Sequence, residues 1–440
     1  MPDQRSRNDW AAVPRGQGAR MVRLGGIVAG IAGGVVAGGV RQVAAGSRPA
    51  LPELLLSPSN AQRLTEGLSH MRGAAMKLGQ MLSMDTGAVL PPELTAILAG
   101  LRDDARHMPP KQLQGVLIAE WGADWQKRFR RFDVRPFAAA SIGQVHRAET
   151  RNGRRLAIKV QYPGVRASID SDVANIATLL RLPGIVPRGM DLRPLLHAAR
   201  AQLHDEADYT AEAGHLRRFG ALLADSDAFV VPQVDEELST GQVLAMSHVQ
   251  SRPIDALTQA PQAVRDKAAR DLIDLVLREL FTFHAMQTDP NLANYRVEPE
   301  TGRLVLLDFG AVRLIEPGLS ADFRALLNAG LDGDPDRTRR AMLDIGYFGP
   351  ATPAHHQALI LRMFATAMEP LRQGAPFDFG QSDLMARLRD MGLAIGTDRD
   401  LMYVPPAETL FLHRKIGGMY LLATRLRARV DLRRLVETYR

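Results

Sequence analysis

The chain has 440 residues, a length at which two or three structural units are expected. Hydrophobic residues make up 46% and charged residues 23%, which is the composition of a globular protein and not of a disordered one. Cysteine is absent, so disulfide bonds and thiolate metal sites are excluded. The net charge of +7 suits a nucleotide, anionic lipid or nucleic acid. Aromatic residues make up only 5% and form no pattern with basic residues, so no nucleic-acid partner is expected.

Residues 1–50 form a segment that differs from the rest of the chain. They are rich in Arg and Gly and contain an apolar run, Leu24–Val40, flanked by Arg23 and Arg41. This run is at the short edge of what spans a bilayer. Three interpretations stay open: a flexible or weakly helical lead-in that packs on the domain, a segment that contacts a membrane through small residues, and a cleaved targeting peptide.

Residues 51–130 are predicted to form an all-helical unit. Between Ala61 and Leu82, apolar residues recur at steps of three and four, which is typical of an amphipathic helix. The pair Pro91-Pro92 lies beyond the end of this pattern, and Lys111 to Trp121 is a further helical stretch.

Residues 131–250 have the character of a β-rich lobe with a long inserted helix, Leu192–Leu223. A hairpin is predicted from two alternating runs that flank the turn signal Asn152-Gly153. The strands predicted here are Ile142–Ala148, Leu156–Gln161, Phe229–Val231 and Val243–Val249. One further short strand, Val305–Leu307, is predicted in the next region.

Residues 251–440 are mainly helical, and the periodicity from Val264 to Met286 predicts one continuous helix. The element order therefore predicts an α+β fold with two unequal lobes and a cleft between them.

The first element that carries chemistry is the Ala-rich segment AAASIGQV. Placed on the kinase loop pattern GxGxxGxV, it keeps the last Gly and the Val but has Ala at the first two Gly positions. Small residues let backbone amides approach phosphates, and Ala should make this loop stiffer than a Gly loop. Taken alone, such a turn is also typical of tight packing. The predicted phosphate-binding residues are Ala138, Ala139, Ala140, Ser141, Gly143 and Val145.

The second element is Lys159, which lies inside an apolar strand. Burying an ammonium is costly unless it meets anions, and kinases use such a lysine to hold the α- and β-phosphates and a helix glutamate. The alternative is a lysine that faces outward from the strand. The acidic stretch Asp205–Glu212 of the long helix offers partners, and Glu212 is the predicted one. Asp208 and Glu212 are expected one turn apart on one helix face.

The third and fourth elements are Asp289-Pro290-Asn291-Leu292-Ala293-Asn294 and Leu306-Leu307-Asp308-Phe309-Gly310. Asp289 and Asn294 have the five-residue spacing of a kinase catalytic loop, although Gln287-Thr288 stands where His-Arg is usual. Asp308 follows a buried strand and precedes Phe-Gly, as a metal-holding Asp does. Together these elements predict ATP and Mg²⁺ as cofactors. The predicted catalytic residues are Lys159, Glu212 and Asp289, and the predicted metal ligands are Asn294 and Asp308.

These residues resemble the UbiB/AarF family of atypical protein-kinase-like proteins from about Leu51 to the C-terminus. The most specific signature is Lys77-Leu78-Gly79-Gln80, the KxGQ motif that ordinary kinases lack, and the Ala-rich loop is a second hallmark. The family's ExD motif falls on Glu206 and Asp208. The resemblance implies a bilobal kinase-like fold with a helical extension that carries KxGQ over the cleft.

The resemblance further implies a regulatory role for four residues. Lys77 and Gln80 lie one turn apart on one helix face. Lys77 is expected to meet Glu206 and Asp208, which would block the space of a peptide substrate and disfavour phosphorylation of other proteins.

The family is associated with ATP hydrolysis and ubiquinone biosynthesis, which implies an isoprenoid lipid or quinone precursor and a membrane surface as partners. The expected location is the cytoplasm, with peripheral attachment to the inner membrane. Two alternatives stay open: a small-molecule kinase, and a non-catalytic lipid-binding protein that uses nucleotide as a switch.

Overall fold

A computed structural model describes residues 107–180, 193–396 and 406–440, together with Gly26, Gly30, Gly33, Asn60, Gly73, Ala74, Ala75 and Lys77. These residues belong to two compact units. Unit 1 holds the described residues up to Arg218 and also Pro232–His248. Unit 2 holds Phe219–Val231 and the described residues from Val249 onward. Gln80 and most of the N-terminal apolar run lie outside the described residues.

The elements within the described ranges are numbered here in chain order. The strands are β1 (Phe129–Phe132), β2 (Ala138–Ala139), β3 (Gly143–Thr150), β4 (Arg155–Gln161), β5 (Phe229–Val230), β6 (Val243–Ser247), β7 (Arg252–Pro253), β8 (Ala285–Gln287), β9 (Tyr295–Val297), β10 (Leu304–Leu306), β11 (Val312–Leu314), β12 (Phe377–Asp378) and β13 (Arg429–Val430). The α-helices are α1 (Pro110–Trp121), α2 (Val165–Leu180), α3 (Arg193–Glu206), α4 (Tyr209–Leu222), α5 (Gln262–Phe281), α6 (Pro317–Asp332), α7 (Pro335–Ile345), α8 (Ala354–Ala367), α9 (Glu369–Arg372), α10 (Leu384–Gly396), α11 (Ala407–Arg425) and α12 (Leu432–Glu437).

Unit 1 is built on an antiparallel sheet in the order β1-β3-β4-β6, with β2 paired to β3. The predicted hairpin is confirmed: β3 and β4 are joined through Gly153, which has φ +83° and so favours glycine. The register places Val145 directly opposite Lys159. Lys159 therefore lies next to β3, the strand that follows the Ala-rich loop.

One face of this sheet is the hydrophobic core of unit 1. Leu156, Ile158 and Val160 alternate along β4 and are at most 4% exposed. They pack with an aromatic cluster that includes Trp121 from α1 and Trp125. Because side chains alternate between the faces of a strand, Lys159 is directed to the face opposite this core.

A buried histidine in β3 ties this core to the chain before α1. The Gln144 side chain accepts a hydrogen bond from the Met108 N–H at 2.8 Å and donates to His146 Nε2 at 2.9 Å. His146 Nδ1–H donates to the Asp133 carbonyl at 2.9 Å. Burial lowers the pKa of His146 from 6.5 to about 4, because the core disfavours the charged, protonated ring.

This histidine is expected to make unit 1 less stable in acid. The unfolded chain takes up a proton near pH 6.5 and the folded chain only near pH 4, so stability falls as pH drops through this window. From about pH 7 to about pH 5 the loss should reach about 2 kcal/mol. Urea unfolding at both pH values would measure it. His146→Gln should lack this part of the loss, and equal losses in both proteins would contradict the assignment.

The predicted long helix Leu192–Leu223 is two helices. α3 ends at Glu206 and α4 begins at Tyr209. The Asp208 carboxylate accepts a hydrogen bond from the Ala211 N–H at 3.0 Å, as the residue that caps a helix N-terminus does. The sequence pattern predicted that Asp208 and Glu212 share one face of one helix. This is wrong, because Asp208 precedes the helix that carries Glu212.

Unit 2 combines a four-stranded sheet in the order β5-β10-β9-β7 with the pair β8–β11 and a set of helices. The predicted helix from Val264 to Met286 is wrong at its end. α5 stops at Phe281, and Ala285–Gln287 forms β8, antiparallel to β11. The apolar residues of this stretch suit either state, and the pairing with a distant strand decides between them.

Several unit 2 helices have the termini that their sequences favour. α6 and α7 begin with proline at the first helical position. Each is followed directly by a glycine with positive φ, Gly333 after α6 and Gly346 after α7. Asp334 caps α7 by accepting hydrogen bonds from two backbone N–H groups. Among the helices of the described part of the chain, none has both the length and the apolar character needed to cross a bilayer.

Candidate active site

The Lys159 ammonium and the Glu212 carboxylate form the predicted ion pair. Nζ lies 2.8 Å from Oε1 and 2.9 Å from Oε2, so both carboxylate oxygens accept from it. The side chains are 9% and 0% exposed. Nζ also lies 5.0 Å from the centre of the Tyr209 ring, which adds a cation–π contact. Lys159 is thus held within unit 1 by α4, and its alternative as an outward-facing surface lysine is wrong.

The Ala-rich segment forms a tight hairpin beside this pair. Ala138 and Ala139 pair with Val145 and Gln144 in antiparallel register. Both alanines are exposed. Since these alanines lie in a strand, they need no positive φ. This geometry is consistent with the stiff loop that the alanines predict.

Gly143 is required for a reason other than the approach of a phosphate. A Cβ atom added here would lie 2.4 Å from the Val160 carbonyl oxygen and 3.0 Å from the Tyr209 hydroxyl. Gly143 lets β3 and β4 approach each other and lets Tyr209 pack against them. Its part in phosphate binding stays a prediction.

Lys77 of the KxGQ motif forms the predicted contact with the ExD glutamate. Its ammonium pairs with Glu206 Oε1, and both residues are buried. The Ser141 hydroxyl of the Ala-rich segment donates to the other oxygen, Glu206 Oε2. A Cβ added at Gly73 would lie 2.9 Å from the Ile142 side chain, so the Lys77 segment also packs closely on this loop. Glu206 therefore joins the KxGQ segment to the Ala-rich loop; we call Lys77, Glu206 and Ser141 the latch.

The other members of the predicted regulatory set are placed less fully. Asp208 caps α4, as described above. Gln80 lies outside the described residues.

In unit 2, Asp289 and Asn294 bound a short loop between β8 and β9. Asn294 Nδ2 donates to the Asp289 carbonyl at 3.1 Å and lies 3.5 Å from Asp289 Oδ2. The Thr288 N–H and hydroxyl both donate to the Ala311 carbonyl, at 2.8 and 2.9 Å, which fixes the start of the loop. The five-residue spacing thus places Asp289 and Asn294 next to each other, and their catalytic and metal-binding roles stay predictions.

Asp308 follows β10 and lies beside the same loop. Its Oδ1 accepts a hydrogen bond from the Gly310 N–H at 3.0 Å. The Leu307 N–H donates to the Asn294 carbonyl at 3.1 Å, so the Asp308 segment is tied directly to the loop. Phe309 is 1% exposed, and its ring lies 4.7 Å from that of Phe219. The Phe of this motif anchors the backbone from which Asp308 projects.

The oxygen donors of this loop fit a magnesium ion. Mg²⁺ favours carboxylate and amide oxygens and takes its other ligands from phosphate and water, so Asp308 and Asn294 carry donors of the right chemistry. Their role as metal ligands stays a prediction. In the described ranges, no group of three or more His, Asp or Glu side chains is arranged to hold a metal by itself.

Sequence reasoning missed the buried charges beneath this loop. Arg414 lies 3.4 Å from Asp289, and Lys415 lies 3.1 Å from Glu279. Burial opposes the charge of Lys415, but Glu279 and Tyr295 beside it raise its pKa above the ordinary value. A pair of cations in the middle of the apolar helix α11 is the signal that could have indicated them.

Comparison with known proteins gives consistent matches. Residues 100–342 match the ABC1 atypical kinase-like domain. The chain is 37% identical over 430 residues to "Atypical kinase COQ8, mitochondrial" of Saccharomyces cerevisiae, covering 97% of this chain and 85% of the relative. It is 36% identical over 445 residues to "Atypical kinase COQ8B, mitochondrial" of Rattus norvegicus, covering 99% and 83%. A solved structure of Rv3197–erythromycin from Mycobacterium tuberculosis is similar, with a TM-score of 0.56, 25% identity, and coverage of 87% of this chain and 96% of that one.

These likenesses confirm three predictions made from the sequence: the resemblance to the UbiB/AarF family, the α+β protein-kinase-like fold, and the assignment as a kinase-like enzyme. The chain therefore belongs to the family of ABC1 atypical kinase-like proteins.

Proposed function

We propose that this chain binds MgATP and hydrolyses it, or transfers its γ-phosphoryl group, in support of ubiquinone biosynthesis. The observation that carries the proposal is the bidentate, buried pair of Lys159 and Glu212. Holding a lysine by both oxygens of a glutamate fixes its ammonium in place, which is what positioning of phosphates requires. The Ala-rich hairpin next to it supplies backbone amides for the same phosphates.

The loop of unit 2 carries the other residues to which the proposal gives a role. Asp289 is the residue that orients the attacking water or accepts the proton of an acceptor hydroxyl. Asn294 and Asp308 would hold magnesium, which would neutralise charge on the β- and γ-phosphates. Two hydrogen bonds support this division of roles. Asn294 donates to the Asp289 carbonyl, and the Leu307 N–H, next to Asp308, donates to the Asn294 carbonyl.

The latch gives the proposal its regulatory part. Lys77 and Ser141 both bind Glu206, so the KxGQ segment and the Ala-rich loop are expected to move together. We infer that this restraint limits the conformations of the loop around nucleotide and disfavours phosphorylation of other proteins. Gln80 and Asp208 belong to the same proposal through the family resemblance.

Opening the latch is expected to change nucleotide preference and to raise autophosphorylation. Lys77→Ala alone would leave a buried carboxylate without the ammonium and cost about 3–5 kcal/mol of stability. The informative protein is Lys77→Ala with Glu206→Gln, which removes both charges. Autophosphorylation with labelled ATP and the ratio of ATP to ADP affinity are the measurements. Lys111→Ala, at an exposed site of α1, is the matched control. A doubly substituted protein that folds and behaves like wild type would show the latch to be packing alone.

Ubiquinone biosynthesis enters the proposal through the family resemblance and the names of the relatives. Both relatives described above are named COQ8-type atypical kinases and mitochondrial. We infer that the partner is an isoprenoid lipid or quinone precursor reached at a membrane surface. A cytoplasmic location with peripheral attachment to the inner membrane stays a prediction for this chain.

Phosphate release by the purified chain, with and without lipid vesicles, tests the proposal. MgATP-dependent release that lipid stimulates is the expected result. A phosphorylated metabolite in place of free phosphate would indicate the small-molecule kinase. Tight nucleotide binding without release or transfer would indicate the nucleotide-switched lipid-binding protein.

A further inference from the structure

Helix α11 carries two consecutive buried cations, Arg414 and Lys415. Their side chains are only 6% and 1% exposed. Burial of an ammonium or guanidinium group is costly unless anions and acceptors surround it. Two such groups in one helix therefore need an explanation, and their contacts supply one.

Lys415 joins three elements that surround the catalytic loop. Its Nζ lies 3.1 Å from Glu279 Oε2 of α5, 3.2 Å from Gln287 Oε1 of β8 and 3.3 Å from the Tyr295 hydroxyl of β9. β8 is the strand immediately before the loop, and β9 is the strand immediately after it. One ammonium thus fixes both ends of the loop relative to α5.

Gln287 connects Lys415 to the backbone of Asp289. While its Oε1 accepts from Lys415, its Nε2 donates to the Asp289 carbonyl at 2.8 Å. The Gln287 N–H also lies 3.3 Å from Glu279 Oε1, to which it donates. Every polar group of the Gln287 side chain is therefore used in holding the loop.

Arg414 acts on the carboxylate itself. Its Nη2 lies 3.4 Å from Asp289 Oδ1, and Asn294 Nδ2 lies 3.5 Å from Asp289 Oδ2. Each carboxylate oxygen thus has a donor on its own side, which restrains rotation of the group. Asp289 is only 7% exposed, so solvent screens the Arg414 charge weakly.

The two residues directly before Asp289 supply no cation to its carboxylate. An ordinary kinase loop has His-Arg before this Asp, and here Gln287-Thr288 occupies those positions. Thr288 bonds to the Ala311 carbonyl and Gln287 to Lys415, so neither brings a positive charge to the carboxylate. Arg414, 125 residues later in the chain, brings it.

We propose that α11 positions the catalytic loop of this enzyme, with Arg414 orienting the Asp289 carboxylate and Lys415, through Gln287, fixing its backbone. This inference rests on the proposed function, since it assigns Asp289 a part in phosphoryl transfer or hydrolysis. Arg414 and Lys415 are positioning residues and touch no nucleotide in this scheme.

Steady-state kinetics of Arg414→Gln test the proposal. With the carboxylate free to rotate, kcat should fall roughly ten- to a hundredfold, while KM for MgATP stays within about twofold. Arg414→Lys should recover part of kcat, because an ammonium keeps the charge but loses the planar fork. The matched control is Arg425→Gln on the same helix, a change that breaks an exposed ion pair with Asp255, which lies between β7 and α5.

The outcomes separate this inference from the proposed function. If wild type neither binds nor turns over MgATP, the proposed function fails. If wild type is active and Arg414→Gln keeps its kcat, only the positioning role fails. It fails equally if Arg414→Gln and Arg414→Lys lose kcat in proportion to a loss of folded protein, as measured by thermal unfolding. A reduced kcat per folded protein in Arg414→Gln, measured well below its melting temperature, and partial recovery in Arg414→Lys support it.

Discussion

Replacing Lys159 with methionine is expected to lower the free energy of unfolding by about 3–5 kcal/mol and to weaken MgATP binding strongly. The stability loss follows because Glu212 is fully buried and would lose an ammonium within 2.9 Å of both its oxygens. The binding loss follows because the same ammonium is proposed to contact the phosphates. Urea unfolding and calorimetric titration with MgATP measure the two effects separately.

A second substitution distinguishes packing from nucleotide binding at this pair. Lys159→Met with Glu212→Leu removes both charges of the pair, so most of the lost stability should return. MgATP binding should stay weak. Lys127→Met, at an exposed pair with Asp124, is the control and should alter neither property. If the double variant binds MgATP like wild type, Lys159 serves the fold and not the nucleotide.

Asp308→Asn is expected to reduce MgATP turnover by roughly a hundred- to a thousandfold without unfolding the protein. The loss follows because an amide oxygen is a much weaker magnesium ligand than a carboxylate. Folding should persist because the asparagine Oδ1 can accept the same hydrogen bond from the Gly310 N–H. Phosphate release at increasing Mg²⁺ concentration is the measurement.

The control for this substitution is Asp225→Asn, at an exposed position of unit 2. It makes the same chemical change away from the catalytic loop and should leave turnover intact. Full activity in Asp308→Asn would remove Asp308 from the metal site. Equal losses of turnover in Asp308→Asn and Asp225→Asn would mean that the loss follows from the change in net charge and not from a metal ligand.

The parts of the site that local patterns specify could be predicted from the sequence. The Asn152-Gly153 turn determines the β3–β4 register, which places Lys159 opposite Val145. Alternation along β4 then determines the face on which Lys159 lies. A buried lysine needs an anion, and a cluster of acids on the next helical stretch made Glu212 its predicted partner. Each of these steps uses nearby residues or a strong energetic requirement.

Competition between local patterns limited the helix predictions. Asp208 has the charge and spacing of a helix residue, but its carboxylate caps α4 and so separates it from α3. The stretch that ends at Met286 has helical periodicity, but pairing with β11 makes Ala285–Gln287 a strand. In both cases a hydrogen bond that the periodicity does not encode determines the structure.

The contact between Asp289 and helix α11 could not be predicted. Arg414 and Asp289 are 125 residues apart. Two cations within an apolar helix indicate that an anion lies nearby, but nothing in the sequence indicates that this anion is Asp289. The close packing that requires Gly143 likewise involves Val160 and Tyr209, which only the folded sheet brings to it. Such features depend on the assembled fold and on no local pattern.

Calorimetric titration of the purified chain with MgATP tests the central claim most directly. Wild type should bind one nucleotide, with binding that depends on Mg²⁺ and that weakens both in Asp308→Asn and in the doubly substituted Lys159–Glu212 protein. If MgATP does not bind to wild type, or if it binds equally well to all three proteins, the assignment of Lys159 and Asp308 to nucleotide binding is contradicted.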